Sequence, residues 1–147
     1  MPERITDKMK KDDCIFCKIA NGEIPSNTVY EDEQYRAILD LSPAAKGHTL
    51  LLPKEHFDDL FGADEATLST ALKAVQKIGA GMQKALKCDG INIVQNNGAA
   101  AGQTVRHLHI HLIPRFEGDG HMVTWKQNES DPEEQKRLAA EISAQIG

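Results

Sequence analysis

Three histidines alternate with aliphatic residues in the last third of this 147-residue chain, at His107, His109 and His111. Side chains two positions apart share one face of a β-strand, so the alternation predicts a strand over residues 105–113 with all three imidazoles on one side. Imidazole is a common metal ligand, and because it titrates near neutral pH it also serves acid–base and nucleophilic catalysis. The pattern therefore indicates a metal site or a catalytic site, on a strand that we expect Pro114 to end.

The segment just before these histidines combines small residues with side chains that can donate hydrogen bonds. Residues 96–104 contain three alanines and two glycines, and they end in Gln103 and Thr104. Backbone N–H groups of such a loop can approach anionic oxygens closely. Its position beside the histidines favours an anionic substrate such as a phosphate ester.

Two of the three cysteines, Cys14 and Cys17, are separated by two residues. This spacing lets both thiolates reach one tetrahedral zinc ion. A redox pair or two buried free thiols would show the same spacing, although the strand and helix that flank a thioredoxin-like pair are missing. The odd number of cysteines argues against a secreted disulfide framework. Cys88, alone at the end of a predicted helix, is expected to be inert.

The elements that must position these residues form a single α+β domain over residues 14–147, preceded by a mobile tail over residues 1–13. Five strand-like runs predict a mainly antiparallel sheet. They lie at residues 28–31, 35–39, 48–52, 91–94 and 105–113. The first two are close enough to form a hairpin.

Two helices complete the predicted domain. Asp64 is a plausible N-cap for a long helix, because apolar residues recur every three or four positions after it. These are Leu68, Leu72, Val75, Ile78, Met82 and Leu86. A C-terminal helix is predicted to follow Asp131, with Pro132 at its first position.

Composition and charge exclude several classes of protein. No apolar run approaches the ~20 residues of a membrane span, and the start of the sequence lacks the apolar stretch of a secretion signal. Seventeen basic and 22 acidic residues give a net charge of −5, which argues against a surface that binds nucleic acid. We therefore expect a cytoplasmic protein that has neither a membrane nor a nucleic acid as its partner.

The run over residues 102–113 resembles the signature of the histidine-triad (HIT) superfamily of nucleotide-binding hydrolases and transferases. The resemblance covers roughly residues 14–125. It implies the HIT-like fold, hydrolysis at the α-phosphate of a purine nucleotide, and a homodimer joined across the long helix and the neighbouring strand. Four upstream stretches resemble family blocks in the same order, at residues 14–19, 23–25, 40–43 and 47–56.

The resemblance also implies a role for each matching residue. His109 would attack the α-phosphorus and form a covalent nucleotidyl-histidine, while His111 and His48 would contact the phosphate. Asp40 would bind the ribose hydroxyls. The phosphate and the leaving group would be placed by Asn96, Gly102, Gln103 and Thr104. The base pocket would be formed by Phe16, Ile19, Ile24 and Ile38.

Zinc-bearing members of the family use two cysteines and two histidines as ligands, and the resemblance implies such a set here. A closed set of four ligands leaves no coordination position for substrate, so the ion would be structural. It would fasten the N-terminal arm to the catalytic strand. The four ligands would be Cys14, Cys17, His56 and His107.

The sequence leaves the exact activity open. Thr104 stands where many phosphoramidate-cleaving relatives have Ser, and the residues around it also resemble the branch that cleaves dinucleoside polyphosphates. His111 favours hydrolysis over transfer, because the transferase branch typically has Gln at that position. A metallohydrolase that uses all three strand histidines as ligands and a non-catalytic nucleotide-binding module are also compatible with the sequence.

Some of these residues also have purely structural interpretations. Asp40, just before Ser42 and Pro43, could stabilise a turn, and His48 could be a hydrogen-bonded core residue. At least one of the four apolar residues assigned to the base pocket is expected to belong to the core. His121 matches no family block and is expected at the surface.

Overall fold

The computed structural model describes residues 10–120 and 125–147. Most of the predicted N-terminal tail, and His121, lie outside these ranges. Two short 3-10 turns, Leu60–Gly62 and Ala99–Ala101, precede the long helix and the last strand. The helices and strands, in chain order, are α1 (Ile15–Ala20), β1 (Thr28–Glu31), β2 (Tyr35–Leu39), β3 (Thr49–Pro53), α2 (Glu65–Leu86), β4 (Gly90–Val94), β5 (Ile110–Arg115) and α3 (Pro132–Gln145).

The five strands form one antiparallel sheet in the order β1-β2-β3-β5-β4. The hairpin predicted from the first two strand-like runs is present as β1 and β2. Every residue of the central strand β3 is buried, as its uninterrupted apolar run predicts. The predicted α+β class with a mainly antiparallel five-stranded sheet is confirmed.

Alternation along the strands gives the sheet two different faces. One face packs against α2 through a core that includes Leu51 and Leu112 from the sheet and Ile78 from the helix. The other face packs against α1. His111 pairs with Leu50 of β3, which belongs to the core on the α1 side, so the His111 side chain also lies on the α1 face.

The long helix α2 begins and ends where the sequence predicts. Asp64 is extended, and its carboxylate accepts a hydrogen bond from the N–H of Thr67 at 2.8 Å, which satisfies one of the unpaired amides at the helix start. Tyr35 of β2 ties the first turn to the sheet, because its hydroxyl donates to the carbonyl of Thr67 at 2.6 Å. After Leu86 the chain turns away through Lys87, whose φ of 54° is the left-handed conformation that ends many helices.

The stretch that contains the alternating histidines differs from the prediction. The alternation predicts a strand over residues 105–113, but β5 covers only Ile110–Arg115. The N–H of Leu108 donates to the carbonyl of Phe57 at 2.7 Å, and this contact holds the chain away from β3 until the β3–β5 ladder begins. Of the three histidines only His111 lies in β5, so the prediction that one strand carries all three was wrong. All three imidazoles nevertheless lie on the α1 side, because Phe16 lies edge-on to both His107 and His109, and His109 lies beside His111.

Pro114 lies inside β5 and does not end it. It pairs with Ile91 of β4, whereas the ladder between β3 and β5 ends at the pair of Thr49 with Leu112. Because Pro114 lies beyond the last pair with β3, its missing N–H removes no hydrogen bond from that ladder. The expectation that Pro114 ends the strand was wrong for this reason.

The two terminal helices contrast in how well the sequence predicts them. α3 begins at Pro132 after Asp131, as predicted, and none of its residues is buried. The six-residue α1 is not predicted, and its N-cap is a cysteine: Sγ of Cys14 accepts from the N–H of Cys17 at 3.4 Å. Within residues 10–120 and 125–147, no helix is long and apolar enough to cross a membrane.

Replacing Asp64 with Ala should lower the free energy of unfolding by about 1 kcal/mol, because the N–H of Thr67 would lose its capping acceptor. Asp64→Asn is the matched control, since its side-chain oxygen can still accept that hydrogen bond and its loss should be much smaller. Urea denaturation followed by circular dichroism measures both variants. Equal losses would show that the negative charge near the helix terminus matters and the capping bond does not.

Candidate active site and metal cluster

His109 lies in the irregular stretch that leads into β5, and two contacts hold its imidazole. Nδ1 lies 2.6 Å from the carbonyl oxygen of His107, and because a carbonyl only accepts, this nitrogen carries the proton. The ring of Phe16 in α1 lies edge-on to the imidazole, with ring centroids 5.0 Å apart. Nε2 has no hydrogen-bond partner among the described residues, so its lone pair is free. A neutral imidazole in this tautomer can act as a nucleophile at phosphorus.

Hydrogen bonds also determine where the protons of His48 and His111 lie. The N–H of Ala44 donates to Nδ1 of His48 at 2.9 Å, so the proton of a neutral His48 ring is on Nε2. This Nε2 lies 2.9 Å from Nδ1 of His111, which therefore accepts. The neutral His111 ring then has its proton on Nε2. A lone pair on His109 and an N–H donor on His111 thus belong to adjacent rings, with centroids 5.0 Å apart.

Burial favours the neutral imidazoles that this arrangement requires. Burial, followed by the neighbouring His109 and His48, lowers the pKa of His111 from 6.5 to about 4. Burial also lowers the pKa of His48, and the carboxylate of Asp40, 3.7 Å from His48 Nε2, partly opposes this shift. His48 and His111 are therefore uncharged at neutral pH.

Close backbone packing and one buried amide shape the 96–104 loop. Gly102 has a φ of 96°, and a Cβ at this position would lie 3.4 Å from Nδ2 of Asn96, so glycine suits both the conformation and the space. Gln103 is buried, and its Oε1 accepts from the N–H of Gly98 at 2.8 Å. Its Nε2 donates to the carbonyl of Asp58 at 2.7 Å. The shape of the loop therefore depends on Gln103.

Three of the polar residues assigned to the nucleotide have atoms to offer a ligand. In the described part of the chain, the side chains of Asn96 and Thr104 make no hydrogen bond, and Thr104 is exposed. One carboxylate oxygen of Asp40 accepts from the N–H of Ser42 at 2.8 Å, so the residue does stabilise a turn. Its other oxygen faces His48.

The four apolar residues assigned to the base pocket do not form one group. Phe16 and Ile19 of α1 are partly buried and pack against the core on the α1 face. Ile38 of β2 belongs to that core, as expected for at least one of the four. Ile24 is half-buried in the turn between α1 and β1 and lies outside this core.

A second group of side chains meets where α1 approaches the segments that follow β3 and precede β5. Cys14, Cys17, His56 and His107 each offer one ligand atom, and these atoms lie within 4.8 Å of one another. Sγ of Cys17 is 3.3 Å from Nδ1 of His56 and 3.5 Å from Nδ1 of His107. Cys17 and His107 are inaccessible to solvent. We call these four residues the Cys/His cluster.

The orientation of both cluster imidazoles fits a bound cation. Nε2 of His107 donates to the carbonyl of Pro53 at 2.8 Å, and Nε2 of His56 donates to the carboxylate of Asp58 at 2.8 Å. Both Nδ1 atoms therefore direct lone pairs at the cysteine sulfurs. Sulfur and nitrogen ligands of a tetrahedral zinc ion lie about 3.6 Å apart, given the Zn–S and Zn–N bond lengths. The three observed sulfur–nitrogen distances are 3.3 to 3.5 Å, so the donor set fits zinc.

Burial also determines the charge of the cluster. It raises the pKa of the Cys17 thiol to about 12 and lowers the pKa of His107 to about 4. The protein groups alone therefore keep the thiol protonated and the imidazole neutral at pH 7. A cation that accepts both sulfurs would stabilise thiolates that burial otherwise disfavours.

Comparison with known proteins identifies the family. A family model for the HIT domain matches residues 21–118. The chain belongs to the HIT family. The resemblance in the sequence is thereby confirmed, and the fold agrees with it. A protein of known structure from Streptococcus mutans is 44% identical with a TM-score of 0.89, over 95% of this chain and 88% of that one.

Two further relatives bear on the chemistry of this HIT protein. The adenosine 5'-monophosphoramidase of Saccharomyces cerevisiae is 40% identical over 134 residues, 90% of this chain and 82% of that one. A zinc-bound histidine triad family protein from Mycobacterium smegmatis is 38% identical, with a TM-score of 0.71, over 90% of this chain and 98% of that one. The first of these relatives supports hydrolase activity in general. The second, together with the donor set of the Cys/His cluster, suggests zinc binding.

The geometry of this HIT protein argues against a catalytic metal held by the three alternating histidines. The side chain of His107 points into the Cys/His cluster, while those of His109 and His111 lie beside each other away from it. The three histidines therefore cannot bind one metal ion, and the metallohydrolase with three strand ligands is not supported.

Asp58 is a residue of the HIT site that sequence reasoning misses. Its carboxylate accepts from His56 Nε2 and so fixes which nitrogen of that ring faces the cysteines. Its main-chain carbonyl accepts from Gln103. The only signal in the sequence is an acidic residue two positions after a histidine, and this pattern is common in loops that bind nothing.

His111 should make the stability of this HIT protein depend on pH. Because burial lowers its pKa from 6.5 to about 4, the unfolded chain takes up a proton that the folded ring refuses. The free energy of unfolding should therefore fall as the pH drops from about 6.5 towards 4. His111→Gln, which cannot titrate, should show a shallower fall. Urea denaturation from pH 4 to 7.5 measures both proteins, and parallel curves would contradict the role of burial.

Proposed function

We propose that this HIT protein hydrolyses purine nucleoside phosphoramidates, or related nucleotide conjugates, at the α-phosphorus through a covalent nucleotidyl group on His109. The observation that carries the proposal is the 2.6 Å hydrogen bond between His109 Nδ1 and the carbonyl of His107. It holds the imidazole in the tautomer whose Nε2 can attack phosphorus. The yeast relative named as an adenosine 5'-monophosphoramidase supports phosphoramidates as the substrate class.

The proposed reaction has two steps. In the first, Nε2 of His109 donates its lone pair to the α-phosphorus, and the bond from phosphorus to the leaving amine breaks while the amine takes a proton from solvent. The Nε2–H of His111 donates to a phosphate oxygen as negative charge develops on it. In the second step, water attacks phosphorus, the bond to His109 breaks, and the nucleoside monophosphate and a proton are released.

The residues around His109 support the remaining roles. The unpartnered side chains of Asn96 and Thr104 can donate to the phosphate or the leaving group. The second carboxylate oxygen of Asp40 suits the ribose hydroxyls. Phe16, which packs against His109, offers an aromatic edge near the base, and the family resemblance adds Ile19, Ile24 and Ile38. His48 acts through His111, because its Nε2–H keeps the proton of His111 on the nitrogen that faces the substrate.

A dinucleoside polyphosphate hydrolase would use the same nucleophile with a phosphate as leaving group. Residues 101–105 and the pair Pro114–Arg115 resemble that branch of the family. The guanidinium of Arg115, however, already binds Asp119 at 2.6 Å and Asn92 at 3.0 Å. A non-catalytic nucleotide-binding module is a third possible function, and it would leave the free lone pair of His109 without a use.

We further propose that the Cys/His cluster holds a structural zinc ion. Cys14, Cys17, His56 and His107 would fill all four coordination positions, so the ion supplies rigidity and takes no part at the phosphate. The zinc-bound relative supports this assignment. We expect the protein to act in the cytoplasm, where the thiols stay reduced.

A homodimer is part of the same proposal. β4 is an edge strand of the sheet, so among residues 10–120 and 125–147 no strand pairs with its outer side. Ile93 on this strand is 46% exposed and Leu72 on α2 is 71% exposed. Association of two copies along β4 and α2 would cover such apolar side chains.

The covalent step can be tested by mass spectrometry. Protein quenched during turnover of an adenylyl phosphoramidate should contain a transient adduct with the mass of one adenylyl group, located on His109. His109→Ala should lose the adduct and at least about a thousand-fold in kcat/KM, because the nucleophile is gone. Circular dichroism and AMP binding serve as controls for folding. Unchanged turnover by His109→Ala would refute the mechanism.

The same assay separates the three possible functions. Turnover of the phosphoramidate should be faster than that of a diadenosine polyphosphate. The reverse order would favour the polyphosphate branch. AMP binding without turnover of either substrate would favour the binding module.

The zinc ligands can be tested with two cysteine variants. Cys17→Ala should lose zinc and unfold at a lower temperature, because metal binding contributes to the free energy of folding. Cys88→Ala, a matched control outside the cluster, should retain one ion per chain. Elemental analysis and calorimetry measure the two effects. Full zinc content in Cys17→Ala would contradict the assignment.

A further inference from the structure

Two segments of the chain contribute both to the Cys/His cluster and to the proposed nucleotide site. His107 contributes its side chain to the cluster, while its main-chain carbonyl holds Nδ1 of His109 at 2.6 Å. At the start of α1, the N-cap residue Cys14 and Cys17 contribute to the cluster, and Phe16 between them packs against His109 with ring centroids 5.0 Å apart. A ligand that fixes the cluster therefore also fixes two groups that contact His109, the main-chain carbonyl of His107 and the ring of Phe16.

A third connection runs through residues 56–58, which follow β3. The side chain of His56 belongs to the cluster. The carbonyl of Phe57 accepts from the N–H of Leu108 at 2.7 Å, and the carbonyl of Asp58 accepts from Nε2 of Gln103 at 2.7 Å. This short segment thus holds both the stretch that carries the nucleophile and the 96–104 loop.

Within the described part of the chain, Gln103 makes the only hydrogen bond that joins the 96–104 loop to residues 56–58. It is 5% exposed, and both ends of its amide bind main-chain groups. Nε2 donates to the carbonyls of Asp58 and Val105, and Oε1 accepts from the N–H of Gly98. A change in the shape of the loop must therefore break one of two hydrogen bonds. One joins Gln103 to the carbonyl of Asp58, and the other joins Gln103 to the N–H of Gly98 within the loop.

We propose that zinc in the Cys/His cluster and nucleotide in the active site strengthen each other's binding, with Gln103 as the positioning residue that carries this linkage to the 96–104 loop. The inference rests on the proposed function, because it takes a nucleotide as the ligand. A cation that fixes α1, residues 56–58 and His107 reduces the ordering that the nucleotide must impose when it binds. Thermodynamic reciprocity then requires the nucleotide to hold the cation more tightly by the same factor.

The test uses the zinc-loaded full chain and needs no catalysis. Zinc release into an excess of a chromophoric chelator is followed with and without saturating AMP. AMP should slow the release several-fold. Calorimetry should give a dissociation constant of AMP that is at least about fivefold lower for the zinc-loaded than for the zinc-free protein, the lower end of typical coupling between two sites.

Two variants locate the linkage. Gln103→Ala removes no cluster ligand and should still bind one zinc ion. At an AMP concentration that calorimetry shows to be saturating for this variant, its zinc release should slow less than twofold relative to its own rate without AMP. Asn97→Ala is the matched control: Asn97 Oδ1 accepts from the N–H of Leu60 at 2.8 Å, so it ties the same loop to a part of the chain outside residues 56–58. The full effect of AMP should persist in Asn97→Ala.

The outcomes separate this inference from the proposed function. AMP that binds but leaves zinc release unchanged would overturn the linkage and leave the nucleotide site in place. Full slowing by AMP in Gln103→Ala would overturn the role of Gln103. AMP that fails to bind, or a chain that holds no zinc, would overturn the inference together with the corresponding part of the proposed function.

Discussion

The orientation of His109, the proposed nucleophile, depends on one main-chain carbonyl, that of His107. The carbonyl fixes the proton of His109 on Nδ1 only while the His107 backbone stays in place. The side chain of His107 holds this backbone in place, because its Nε2 donates to the carbonyl of Pro53 and its Nδ1 faces the cysteine sulfurs. His107 thus contributes its side chain to the Cys/His cluster and its main-chain carbonyl to His109.

The Cys/His cluster adds to the small hydrophobic core that attaches α1 to the sheet. α1 has six residues, of which only Cys17 and Ala20 are buried. So short a helix is not stable by itself, and contact with the sheet must hold it. Cys17 and the N-cap residue Cys14 also attach the helix, because they face His56 and His107, and Phe16 between them lies against His109. The side chains that attach α1 thus also place Phe16 against His109.

Much of the fold follows from local patterns. The long helix could be predicted because its apolar spacing and its N-cap at Asp64 agree, and β3 because a short apolar run ends at a proline. The start of β5 at Ile110 could not be predicted, because the alternation at His107 and His109 is also the pattern of a strand. The bond from Leu108 to Phe57, which joins residues about 50 positions apart, decides the outcome. The contact of Gln103 with Asp58 could not be predicted for the same reason, because it joins a side chain to a distant main-chain group that no spacing reveals.

The family resemblance indicates which histidines contact the phosphate, whereas only the hydrogen bonds of the structure indicate their tautomers. The N–H of Ala44 determines the tautomer of His48, and His48 determines the tautomer of His111. The carbonyl of His107 determines the tautomer of His109. The direct measurement is nitrogen-15 NMR of the histidine-labelled protein at pH 7, with His109 assigned by its loss in His109→Ala. In the neutral His109 ring, Nδ1 should be protonated and Nε2 unprotonated. A neutral ring with its proton on Nε2 would contradict this tautomer, because that nitrogen could not then attack phosphorus.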